Sequence, residues 1–67
     1  MRFGTNVRER RKAKGYTQER FAAELGVTQV AISRFEKGTK LPGALLLKDM
    51  AKVLDCTMDE LFNDSEV

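Results

Sequence analysis

The chain contains no histidine and only one cysteine and one proline among its 67 residues. Each scarcity removes a class of chemistry. One cysteine cannot form a disulfide within the chain, and without histidine a zinc site of the Cys/His kind has no ligands, so no metal or other cofactor is expected. A catalytic cysteine would need a base beside it, and none is available to Cys56. In "LDCTMDEL" it occupies a place suited to a small hydrophobe and is expected to be a buried, inert thiol. No apolar run approaches the length of about 18 residues that spans a bilayer, and the N-terminus carries no signal-peptide core. The expected setting is cytoplasmic, with no membrane partner.

What is present is a balanced composition, 42% hydrophobic and 33% charged, suited to one small globular domain over residues 1–67 that must bury its apolar groups economically. The net charge is only +2, but it is unevenly distributed. Residues 1–40 hold ten Lys/Arg against four acids, whereas residues 41–67 hold Lys48 and Lys52 against six acids. One end should attract a polyanion and the other should not.

Local signals divide the chain into five short helices and predict an all-α fold. Gly15, Gly26 and Gly38 each stand where a left-handed residue would end a helix. No run of alternating β-branched residues argues for a strand, and Pro42 with Gly43 marks a loop. The first helix is expected from Thr5 or Asn6, either able to cap it, to Lys14, with Phe3 folding back as a staple. Its outer face is the basic run "RERRKAK". Thr17 caps a second helix over about 18–25, with Phe21, Ala22 and Leu25 on one face. After Gly26, Val27 and Thr28, a third runs over about 29–37, with Ile32 and Phe35 facing inward. A fourth, about 44–54, carries Leu47, Met50, Ala51 and Leu54 on its core stripe. The fifth opens with the capping box "TMDE", Thr57 to Glu60, and carries Leu61 and Phe62 on its apolar side.

Two helices joined by a tight glycine-containing turn are the general form of the DNA-binding helix-turn-helix, here about 17–37. The segments "TQERFAAELGVTQVAISRFEKG" and "LKDMAKVLDCTMDELF" place small crossing residue, turn glycine, core positions and terminal capping box in one register. On these residues the chain resembles the Cro/cI-type (XRE-like) helix-turn-helix family of phage repressors and small bacterial regulators, from about Val7 to Phe62. The resemblance implies a compact five-helix bundle that binds operator DNA as a dimer. It also implies a phosphate contact from Gln18, base or adjoining backbone contacts from residues such as Thr28, Gln29, Val30, Ser33 and Arg34, and an ion pair between Arg11 and Glu36. Arg10 departs from the family, which more often has an apolar group there. Its stem is expected to lie along the core while its guanidinium reaches water or phosphate.

The chemistry of the third helix agrees. A glutamine amide offers a donor and an acceptor in one plane, matching adenine N6 and N7, and arginine matches guanine O6 and N7. The expected base contacts are therefore Gln29, Val30, Ser33 and Arg34, with Val30 against a thymine methyl. Backbone contacts are expected from Gln18, Thr28, Lys37, Thr39, Lys40 and Arg11, and from some members of the basic run. The first turn of the third helix has no acid to quench the field of its free N–H groups.

Three consecutive leucines, Leu45 to Leu47, exceed what one small core face needs. Leu45, Leu46, Val53 and Phe62 are therefore expected to form a homodimer interface. The function so expected is a sequence-specific DNA-binding transcriptional regulator, a repressor, on a pseudo-palindromic duplex operator. A protein-interaction module such as an antitoxin or adaptor is the alternative; it would call for a partner-binding extension, and "NDSEV" is short for one. An enzyme has no constellation to work with. No small-molecule ligand is expected.

Overall fold

The computed structural model describes residues 2–63; the tail residues 64–67 of "NDSEV" lie outside them. Among the described residues five helices follow one another: α1 (Phe3–Ala13), α2 (Gln18–Leu25), α3 (Gln29–Lys37), α4 (Ala44–Val53) and α5 (Met58–Phe62). Three begin as the local residues dictate. Thr17 Oγ1 accepts from Arg20 N at 3.0 Å, and Thr28 Oγ1 accepts from Ala31 N at 3.2 Å. At α5 the capping box closes reciprocally, Glu60 N donating to Thr57 Oγ1 at 3.1 Å and Thr57 N to Glu60 Oε1 at 2.8 Å.

Four helices end on one design, a 6→1 backbone bond around a left-handed residue. Tyr16 N donates to Arg11 O, Val27 N to Ala22 O, Thr39 N to Arg34 O and Cys56 N to Ala51 O. The left-handed residue is Gly15, Gly26 or Gly38 in the first three cases, and Asp55, at φ 58°, in the fourth. Asp tolerates that region better than most side chains. The end of α4 was therefore not marked by a glycine.

The start of α1 differs from the sequence expectation. Helix begins at Phe3, and Arg2 occupies the cap position with no side-chain capping bond. Neither Thr5 nor Asn6 caps it. Phe3 is itself in the helix, buried, and stacks on Phe62 with ring centroids 4.9 Å apart. That non-local contact extends the helix past the local stop. Asn6 instead reaches α5, where its Nδ2 donates to Leu61 O and Asn63 O, both at 3.0 Å. A five-residue helix leaves most of its carbonyls without intrahelical partners, and Asn6 satisfies that of Leu61 inside it and that of the C-cap residue Asn63 just past it.

One core collects Phe3 and Val7 from α1, Phe21 and Ala22 from α2, Ile32 and Phe35 from α3, Met50 and Ala51 from α4, and Leu54 and Leu61. Around it α1 packs on α3 and α5, α2 on α3 and α4, and α4 on α5. The α1–α3 approach is close enough to require Gly4. A Cβ there would lie 2.8 Å from Phe35 O and nearer still to Glu36 O. Cys56 is half-buried rather than fully so. Desolvation pushes its thiol pKa up, which disfavours the thiolate.

Candidate nucleic-acid interface

The turn at Gly26, in left-handed conformation at φ 71°, swings the chain from α2 into α3. Val27 drops partly into the core beneath it. Ile32 and Phe35 are buried and pin α3, so its opposite side faces outward. Gln29 and Arg34 are exposed, and Val30 is an apolar side chain 58% exposed to water. No acid stands in the first turn of α3, and Arg34 and Lys37 stand in its last.

A chain of hydrogen bonds across three helices fixes this surface. Arg11 Nε donates to Glu36 Oε2 at 2.6 Å and Nη2 to Oε1 at 3.2 Å, while Nη1 donates to Tyr16 O at 2.8 Å. The Arg11 and Glu36 side chains are only 8% and 4% exposed. Gln18 Nε2 donates to the same carboxylate at 3.0 Å. Its amide nitrogen being so held, Gln18 Oε1 faces away and accepts from Gln29 Nε2 at 3.3 Å. Each bond settles the orientation of the next amide. Gln29 Oε1 and the second amide hydrogen are left for an external partner, a donor–acceptor pair of the kind adenine matches.

The predicted backbone-contact residues divide. Thr28 uses its oxygen as an acceptor in the cap, which leaves the hydroxyl hydrogen available. Lys37 and Lys40 are exposed. Thr39 Oγ1 donates to Arg34 O at 3.2 Å, so its hydrogen is already engaged. Arg11 is buried, with all three of its nitrogens bonded within the chain. It is therefore an internal strut rather than a cation free for phosphate. Ser33 is half-buried on the α1 side of α3.

The basic run is split between two sides of α1. Arg8, Arg11 and Lys12 share a cleft with Gln18, Ser33, Glu36 and Lys37. Arg10 lies 4.0 Å from Glu60, and Lys14 lies 3.7 Å from Asp55, both toward the end of the molecule that holds α5. Arg10 thus meets an acid rather than only water. The signal was present in the spacing: positions 8, 11 and 12 fall on one helical face, and positions 10 and 14 on another.

The residues expected to form a dimer face are also divided. Leu45 is 82% exposed. Leu46, Val53 and Phe62 are partly buried against the chain's own core, with Phe62 stacked on Phe3. Leu41 and Met58 are exposed apolar residues that sequence reasoning passed over. Among the described residues, no three His, Cys, Asp or Glu side chains are grouped to hold a metal ion, and no helix is long and apolar enough to cross a membrane.

A family model described as helix-turn-helix matches residues 7–61. The chain is 44% identical over 59 residues to the HTH-type transcriptional regulator YazB of Bacillus subtilis, covering 88% of this chain and 86% of that protein. It is 36% identical over its whole length to the HTH-type transcriptional activator BcrR of Enterococcus faecalis, of which it spans 33%. In three dimensions it is similar to the P22 c2 repressor in complex with a synthetic operator, with TM-score 0.87 at 33% identity over 91% of this chain and 92% of that one.

Proposed function

The chain belongs to the helix-turn-helix family, of the Cro/cI type, and from that premise we propose a sequence-specific transcriptional regulator that lays α3 in the major groove of duplex DNA. The observation that carries this reading is the oriented Gln29 amide at the open end of α3, held through Gln18 by the buried Glu36–Arg11 pair. A solvated surface has no need of such an arrangement. Gln29, Val30, Ser33 and Arg34 meet base edges, Gln29 on adenine and Val30 on a thymine methyl. Gln18, Thr28, Lys37, Thr39 and Lys40 meet the backbone, Thr39 after its hydroxyl turns from Arg34 O.

The protein acts as a homodimer, with Leu45 at the centre of the apolar contact. Its operator is pseudo-palindromic, with half-sites about 34 Å apart so that the two copies of α3 enter successive major grooves. The sign of regulation is repression, because a domain seated on an operator excludes other proteins without making further contacts.

Selection of bound sequences from a random duplex pool, with the wild type and Gln29→Ala, tests the reading. The wild type should enrich a two-fold-related motif; Gln29→Ala should lose preference at one base pair per half-site and bind the best site about 1–3 kcal/mol more weakly. Enrichment of no motif by the wild type would overturn it.

A further inference from the structure

The α1–α3 cleft gathers four cations, Arg8, Arg11, Lys12 and Lys37, around one carboxylate, Glu36. That carboxylate is fully used. It accepts two bonds from Arg11 and one from Gln18, which also consumes the Arg11 charge. Arg8, Lys12 and Lys37 remain, exposed and with no acid paired to any of them among the described residues. The cations on the other side of α1 are different, Arg10 standing opposite Glu60 and Lys14 opposite Asp55. One helix thus carries compensated cations on one side and uncompensated ones on the other. The uncompensated set lies beside Gln18 and Ser33, at the flank of the surface that α3 presents.

We propose that Arg8 and Lys12, with Lys37 across the cleft, hold a DNA backbone phosphate beyond the groove that α3 reads, so that α1 is a second DNA-binding element. This rests on the DNA-binding reading above. An ammonium or guanidinium without a protein acid is the group that releases counterions when it meets a phosphodiester. The buried Arg11–Glu36 pair contributes no such charge, but it ties the α1 side of the cleft to the α3 side. The contact would be independent of base sequence.

The test compares two double variants of the full chain, R8Q/K12Q and R10Q/K14Q, on the selected operator and on random duplex across a salt series. Circular dichroism confirms that each is folded. R8Q/K12Q should weaken both duplexes by the same factor, on the order of tenfold per lost phosphate contact at 0.1 M salt, and reduce the slope of log K against log salt by about 1 per bound protomer. R10Q/K14Q should leave the slope unchanged. Duplexes carrying single neutral methylphosphonates then locate the contact: one position in each half-site should weaken the wild type more than R8Q/K12Q, which keeps only Lys37 there. An equal loss of slope in the two variants would mean that charge acts at a distance, and would overturn the proposal. So would an unchanged slope in R8Q/K12Q beside a steep wild-type one. A wild type with no salt dependence would instead overturn the DNA-binding reading itself.

Discussion

The two junctions that α1 makes are held by different physics. Against α3 it presents Gly4 to the backbone and Arg11 to Glu36, in an ion pair almost wholly out of water. Against α5 it presents Phe3 to Phe62, Asn6 to two carbonyls and Arg10 to Glu60 across 4.0 Å with both side chains well exposed. A buried pair fixes geometry strongly because neither partner can be removed without stranding the other. An exposed pair is screened and contributes little. The helix proposed to read DNA, α3, is therefore anchored by the stiff junction, and the short terminal helix by the soft one.

The largest break in that contrast is expected from Glu36→Ala. It leaves the Arg11 guanidinium buried without its counter-charge, at a cost of about 3–5 kcal/mol. In a domain this small that is most of the total stability, on the order of 5 kcal/mol, and urea denaturation should find the variant largely unfolded at 25 °C. Gly4→Ala drives a Cβ into the end of α3 and should cost about 1–3 kcal/mol by the same measurement. Asn6→Ala removes two bonds to carbonyls at the soft junction, for about 1–2 kcal/mol. Arg10→Gln, in contrast, should shift stability by less than about 1 kcal/mol. A cost for Arg10→Gln equal to that of Glu36→Ala would erase the distinction between the junctions.

The smallest effect is a pH dependence. The hydrogen bond from the Thr57 backbone, and after it the neighbouring Arg10, holds the pKa of the Glu60 carboxyl below the usual carboxylate range. A carboxylate favoured in the folded state stabilises at pH values above its unfolded pKa, and that contribution disappears as pH falls through the lower folded value. Thermal melts of the wild type and Glu60→Gln should therefore differ at pH values above the ordinary carboxylate range and converge as the pH falls below it.

How much of this was legible followed from how local each signal is. The starts of α2, α3 and α5 were readable because Thr17, Thr28 and Thr57 bond to N–H groups three residues away. The same reasoning misplaced the start of α1. There Phe3 stacks on a ring 59 positions along the chain, and Asn6, a good local cap, is drawn off to α5. The end of α4 passed without a glycine because Asp55 took the left-handed position. At the interface, Gln29 and Val30 were legible as outward-facing from the period of α3, whereas the Gln18–Glu36 bond, linking residues 18 apart, was not.

The residue pattern by itself determined five helices, the turn at Gly26, the outward face of α3 and the charge asymmetry of the molecule. Each depends on neighbours within about one helical turn, where backbone geometry alone places side chains. Only the tertiary structure decided which basic residues of α1 are neutralised and which are left open. It also turned Arg11 inward as a strut and kept Leu45 apart from the partly buried Leu46, Val53 and Phe62. Those outcomes depend on which helix lies across from which, and charge compensation and burial acquire values only once that packing exists.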